Sequence, residues 1–248
     1  MLAGSINETF DLVLLAVKAY GLDQAMRDMA NAIGPATVIL PVLNGMSHID
    51  ALSSAFGAER VLGGMAQISA SLSADGRVEL KNTWAELVFG ELAGGTSGRA
   101  SAIHEVLTVE GFRARLSAEV MQDMWEKWMI VSTVAGSTCL MRASIGEIIA
   151  AGGQEFLLRL FTELRAVGAA AGFAARTKFI GEEMAFLTNA ASGAKASMLR
   201  DIERGGPTEG EHMLGQLVAL ARKHAVATPS LDLAHCHVAA YEVVRSRK

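Results

Sequence analysis

Lys127 lies between two tryptophans in "MWEKWMIVSTVAGSTCLM" (Met124–Met141) and is the last charge before Arg142. If this stretch is helical, Ile130, Val131 and Val134 follow at one- and two-turn spacing, so the ammonium leaves from an apolar stripe. Burial there would lower the lysine's pKa and ease proton donation near neutral pH. The alternative is a snorkelling lysine, its stem on the indole faces and its charge in water. Residue types alone leave both readings open.

Two further polar residues close apolar runs. Lys18 ends the run in "DLVLLAVKAYG" (Asp11–Gly21), and Asn44 ends the one in "TVILPVLNG" (Thr37–Gly45). Open parallel sheets bind ligands beyond the carboxyl ends of their strands. A lysine there can meet an anionic cofactor or substrate, and Asn44-Gly45 lets backbone approach a ligand ahead of a helix with free N–H groups. A solvated strand end and an ordinary turn account for the same residues.

A third group lies in "KASMLRDIERGGPTEGEHMLG". Ser197 can cap a short helix over Met198–Arg204. Thr208 and Glu211 have the spacing of a capping box, and Glu209 is an acid in the first turn, favoured by the helix dipole. His235, Cys236 and His237 are adjacent, and consecutive helical positions point about 100° apart. They cannot converge on a metal from one helix, so no metal is expected. No nucleophile elbow, Walker loop or HExxH motif occurs.

The elements that must position these groups form two blocks. Apolar runs at Asp11–Gly21 and Thr37–Gly45 suit strands buried on both faces, and each is followed by a helical pattern. Two strand–helix units in succession predict a parallel, doubly wound sheet. "RVLGGMAQISASL", "GRVELKN" and "AELVFGEL" read as antiparallel strands completing it, with a turn at Asp75-Gly76. "AGGTSGRAS" reads as a loop, Ile103 to Val109 as a helix and "GFRARLS" as an edge strand. Beyond Ala118 the chain turns helical, with stripes through Leu157, Leu160, Phe161, Leu164 and Val167, and through Leu214, Leu217, Val218 and Ala221. The expectation is an α/β fold: a partial Rossmann-type sheet over residues 1–117, then an all-helical domain over 118–248.

Composition bounds the function. The 248 residues are 51% hydrophobic and 19% charged, enough to bury one large core or two small ones. A net charge of −4 with no basic stripe excludes a nucleic-acid surface. Cys139 and Cys236 are too few for a disulfide framework and read as reduced and buried. The apolar run after Lys127 is too short to span a bilayer, and the N-terminus lacks the features of a signal peptide. A cytoplasmic protein without a membrane partner is expected.

Taken in order, these pieces resemble ketopantoate reductase (2-dehydropantoate 2-reductase). The resemblance runs from about Phe10 to nearly the C-terminus. It rests on "VK" at Val17-Lys18, "NG" at Asn44-Gly45, the "VLGG" strand, "WEK", "SMLRDIERGGPTE" and the closing "G…ATP". The twelve-residue step from Ser197 to Glu209 is part of the pattern. The resemblance implies hydride transfer from NADPH to the ketone of a 2-oxo acid such as ketopantoate, giving the 2-hydroxy acid in pantothenate biosynthesis. Lys127 would be the general acid, opening the first interdomain helix and facing the cleft. Lys18 and Asn44 would line the cofactor cleft, with Asn44 also near the substrate. Ser197 would hold the substrate carboxylate, and Glu209 its hydroxyl end or the active lysine.

Two departures shape further expectations. The family begins with a strand and a GxGxxG loop, and "MLAGSINETF" offers neither. The first strand is therefore expected to be an open edge, and NADPH binding weak or absent. The residues that would choose between NAD and NADP belong to that segment, so NADP follows from likeness alone. Where the family usually places asparagines one and two turns after the lysine, this chain has Val131 and Ala135. The competing reading is a non-catalytic relative that binds or dimerises. The apolar helices fit either a homodimer interface or core.

Overall fold

The computed structural model describes residues 6–68, 70–73, 75–80 and 85–247. Residues 1–5, part of the stretch that offers no GxGxxG loop, and Ser69, Lys81 and Asn82, which the sequence assigns to strands, lie outside the described residues. The chain divides into two compact units, Met1–Met124 and Trp125–Lys248.

The first unit is a small α/β assembly. Strand β1 (Leu12–Leu15) leads through a short 3-10 turn to helix α1 (Leu22–Met29), then to β2 (Val38–Pro41) and α2 (Ser47–Phe56). β1 and β2 pair in parallel from Leu12↔Val38 to Leu15↔Pro41. β3 (Leu62–Gln67) follows, with a parallel bridge between Ile39 and Val61 bringing its start beside β2. β6 (Glu86–Glu91) runs antiparallel to β3, and β7 (Arg113–Leu116) runs parallel to β6 after the crossover helix α3 (Gly98–Leu107).

The continuous apolar runs are explained by burial on two sides. Ile39 of β2 and Val88 of β6 enter one core with Leu15, Leu52, Met65 and Val120. Their neighbours Val38, Leu40, Leu87 and Phe89 enter a second core with Leu62. Successive strand residues face opposite ways, so a strand covered on both faces shows no polar alternation. Among the described residues β1 pairs with β2 alone, and Leu14 is half exposed.

Close approach explains the "VLGG" strand. A Cβ on Gly63 would stand 2.7 Å from a Val120 methyl, and one on Gly64 would stand 2.4 Å from the Pro41 carbonyl oxygen. Larger residues would push β3 away from its neighbours.

Two details differ from expectation. The stretch expected as one strand from Arg60 divides, because β4 (Ala70–Leu72) leaves the sheet and, among the described residues, pairs with β5 (Val78–Leu80) alone. Gly76, at φ 83°, makes the tight turn between them, and Ser73 N–H donates to Arg77 O at 2.9 Å. Helix α3 starts at Gly98, earlier than its apolar residues indicate, because the Ser97 hydroxyl accepts from Ala100 N–H at 3.2 Å.

The second unit is helical. It takes in most of α4 (Val120–Met141), then α5 (Ile145–Ala150), α6 (Gln154–Ala170), α7 (Thr177–Leu187) and α8 (Ser197–Glu203). A π-helical turn (Glu211–Gly215) leads into α9 (Gln216–Lys223), and α10 (Pro229–Arg245) closes the chain. Leu157, Leu160, Phe161, Leu164 and Val167 are fully buried along α6, and Leu214, Leu217, Val218 and Ala221 are buried across the π-turn and α9. Cys139 is buried as expected, but Cys236 is exposed, because α10 packs through Leu231, Ala234 and Val238 on another side. No helix among the described residues is long and apolar enough to cross a membrane.

Candidate active site

In the first unit, the parallel register aligns two of the expected site residues. Lys18 lies three residues beyond Leu15, and Asn44 lies three beyond Pro41, the partner of Leu15. Both are half-buried at the carboxyl edge of the pair. Lys18 is extended and its carbonyl accepts from Gly21 N–H at 2.8 Å. Gly45 is buried with φ 79°, a conformation only glycine takes without strain, so the chain turns sharply after Asn44 into α2. A cation and an amide at matching heights, ahead of a helix start, make an edge suited to an anionic or amide-bearing ligand.

In the second unit, Lys127 lies near the start of α4. Trp125 and Trp128 stand on either side of it in the sequence. Both are buried, 5.1 Å apart between ring centroids, and Trp125 stacks on Phe173 at 5.1 Å. The lysine shares its face of α4 with Ile130, Val131 and Val134, all half-buried. Removal from water pushes its ammonium down from 10.5 to about 8, and the charge of Glu209 opposes part of that fall. Burial is thus the dominant influence on Lys127, and Glu209 is close enough to be felt.

Glu209 is buried just before the helical run that starts at Gly210. Its carbonyl accepts from Met213 N–H at 2.8 Å. A Cβ on Gly210 would stand 2.3 Å from a methyl of buried Val238, so glycine is what lets this turn settle on α10.

The expected capping box is not formed here. The Thr208 hydroxyl accepts from Gly210 N–H at 3.3 Å, but the carboxylate that takes the Thr208 N–H, at 2.6 Å, belongs to Glu242 of α10. Glu211 turns away and pairs with His235 Nε2 at 3.0 Å. A capping box exists elsewhere: the Ser144 hydroxyl accepts from Glu147 N–H, and Ser144 N–H donates to Glu147 Oε2 at 2.7 Å, opening α5.

Ser197 is not a cap either. It is the first residue of α8, exposed, with Ala196 in the cap position and no side-chain capping bond. The segment before it is fixed by backbone bonds from Ile145 N–H to Ala194 O and from Gly146 N–H to Ser192 O, at 3.1 and 2.8 Å. Ala196 N–H donates to the Thr138 hydroxyl of α4 at 3.3 Å. Thr138 lies eleven residues beyond Lys127, about 16 Å along the helix. The structure therefore brings Glu209 to Lys127 and ties the start of α8 to the same helix farther along.

Trp128 was not indicated by sequence. Its indole N–H donates to Met213 O at 3.0 Å, inside the π-turn. A buried tryptophan needs a partner for its N–H, but nothing in the sequence points to a carbonyl 85 positions away. Glu126 is the other silent member. Its buried carboxylate receives Arg176 N–H at 2.8 Å and Arg176 Nε at 3.0 Å, holding the α6–α7 connection against α4 beside Lys127. A lysine that titrates near 8, held by packed helices and faced by a carboxylate, can hand over and recover a proton near neutral pH.

Residues 2–94 match the family described as "Ketopantoate reductase PanE/ApbA", and residues 119–242 match "Ketopantoate reductase PanE/ApbA C terminal". A Bacillus subtilis protein named "Uncharacterized oxidoreductase YkpB" is 33% identical over 241 residues, covering 96% of this chain and 80% of that one. Among solved structures, 2-dehydropantoate 2-reductase from Methylococcus capsulatus superposes with a TM-score of 0.88 at 24% identity, over 100% of this chain and 79% of that one. D-mandelate dehydrogenase, solved with NADH and anilino(oxo)acetate, gives 0.85 at 21% identity, over 99% and 81%. Those two likenesses are of fold. The paired family matches and the shared identity with the Bacillus protein establish that this chain belongs to the ketopantoate reductase PanE/ApbA family of oxidoreductases.

Proposed function

We propose that this protein reduces the ketone of a 2-oxo acid, ketopantoate or a relative of it, to the 2-hydroxy acid. A nicotinamide cofactor, NADPH in this reading, supplies the hydride to the carbonyl carbon. Lys127 gives the carbonyl oxygen its proton. Glu209 keeps the lysine protonated at working pH and takes a substrate hydroxyl or the lysine itself as partner. Asn44 and Ser197 hold the substrate, Ser197 at its carboxylate. Lys18 and Asn44 contribute to the cofactor site.

The residues at the β1–β2 edge suit a dinucleotide: a cation, an amide and a glycine turn ahead of a helix start. The single observation that carries the reading is the state of Lys127. An ordinary lysine is too weak an acid to give up its proton readily at neutral pH, whereas one lowered to about 8 is matched to that task.

The test is oxidation of NADPH and NADH, followed by absorbance, against a panel of 2-oxo acids. Reduction of at least one acid by the wild type, lost in Lys127→Ala, supports the proposal. Wild-type protein that binds either cofactor, measured by calorimetry, yet is inert toward every acid contradicts it.

A further inference from the structure

The depth of the Lys127 ammonium depends on how the first turns of α4 are rotated about the helix axis. One segment outside that helix grips them repeatedly: the last turn of α6 and the α6–α7 connection, residues 171–176. Phe173 lays its ring on Trp125, 14° from parallel with centroids 5.1 Å apart. Arg176 takes the next residue. Its backbone N–H donates to Glu126 Oε1 at 2.8 Å, and its Nε reaches both carboxylate oxygens at 3.0 Å. A side chain on Gly168 would strike the Met129 methyl, so α6 ends in close contact with α4 two residues past the lysine. Phe173 N–H donates to Gly168 O at 2.8 Å and makes the connection one piece with α6.

Trp125, Glu126 and Met129 are all buried, so each grip acts on a side chain with little room to move. Consecutive helical residues point about 100° apart, so fixing positions 125, 126 and 129 also fixes the direction in which position 127 leaves the helix. The ion pair is more than a surface contact. Arg176 is half-exposed, but the Glu126 side chain is only 6% exposed, and a carboxylate buried that far is held firmly by a guanidinium fork.

We infer that Phe173 and Arg176 are positioning residues for Lys127: they hold the start of α4 in the rotation that keeps the ammonium away from water. The catalytic consequence rests on the reductase reading above. Removal from water is the larger influence on this lysine, so a loosened helix start returns it toward its ordinary 10.5. The charge acting on it from the facing segment is that of Glu209, while Glu211 is turned to His235. On α4 itself, Glu126 accepts from Arg176, and Asp123, one turn before the lysine, accepts from Arg115 and Ser117.

Two variants loosen the connection without changing the net charge. Phe173→Ala removes the ring stack. Glu126→Gln combined with Arg176→Ala removes the fork and both of its charges together, so a shift in Lys127 reports water and not a new charge. The amide oxygen still accepts the backbone N–H of position 176 and the arginine is half-exposed, so this double variant keeps the fold and decides alone if Phe173→Ala does not fold. The measurement is the pH titration of isotope-labelled lysine side chains by NMR, with the Lys127 signal identified by its absence from Lys127→Met. In each variant the Lys127 midpoint is expected to rise by about one pH unit from the wild-type value of about 8. In 2-oxo acid reduction, kcat at pH 7 is expected to fall about tenfold with KM little changed, and the alkaline limb to move up with the midpoint. A midpoint that stays at the wild-type value in the folded variants, or falls, overturns the inference. A midpoint that rises supports it. If kcat and the alkaline limb then stay where they were, the reductase reading fails and the positioning stands.

Discussion

Trp128 donates its indole N–H to the carbonyl of Met213 at 3.0 Å, fastening the residue after Lys127 to the π-turn that follows Glu209. π-turns are uncommon and frequently mark functional sites. Here the turn belongs to the segment that presents the carboxylate, and the bond joins it to the helix that presents the lysine. In Trp128→Phe the ring is largely kept and the donor is lost. The expected cost is about 1–3 kcal/mol for the missing bond and the space left behind. In a chain of this length that is a fall of about 2–4 °C in Tm per kcal/mol. An unchanged Tm in thermal denaturation would show that the bond contributes nothing.

Glu209→Gln tests the electrostatic side of the same pair. The carboxylate raises the pKa of Lys127 against the stronger effect of burial. Its removal is therefore expected to lower that pKa below about 8, moving the alkaline limb of the pH–rate profile to lower pH. A limb that stays in place, or moves up, would separate the two residues functionally.

Lys127 also links stability to pH. Its folded-state value of about 8 lies below the ordinary 10.5, so with rising pH the native state loses this proton first. Between those values the unfolded chain binds more protons, and stability contributed by this site rises with pH. Below about 8 both states are protonated and the full penalty of the buried charge remains. The stability of wild type relative to Lys127→Met should therefore increase from pH 7 to pH 10.5 by about 3 kcal/mol at most. Urea titrations at the two pH values measure it; a flat difference would mean the ammonium is solvated.

The two cysteines should differ in reactivity. Burial pushes the Cys139 thiol up to about 12, whereas Cys236 is exposed on α10. Thiolate is the reactive form, so an alkylating reagent at pH 8 should label the native protein once, at Cys236. A second label is expected only in denaturant. Rapid labelling of Cys139 in the native state would contradict the packing of α4.

Sequence shows what is local, and it shows burial where burial has a regular pattern. β2 was legible because a strand covered on both faces is written as an unbroken apolar run, and Val38–Pro41 is one. The α6 stripe was legible because one side of a helix is buried at helical spacing. The apparent capping box at Thr208 was misleading for the opposite reason. Its spacing is right, but Glu242, distant in sequence and adjacent in space, occupies the position Glu211 would take. The start of α8 falls one residue before expectation because Ala196 is held by Thr138 and not by a cap of its own. The nearness of Glu209 to Lys127 has no local signature at all; only the resemblance to a family linked them.

The pH dependence of substrate reduction in wild type and Lys127→Ala, at saturating cofactor, tests the central claim most directly. With Lys127 as the proton donor, wild-type kcat falls about tenfold per pH unit above about 8. Lys127→Ala is then slower by at least about a hundredfold at pH 7 and loses that limb. A Lys127→Ala variant that keeps wild-type kcat and the same alkaline limb would place the proton donor elsewhere.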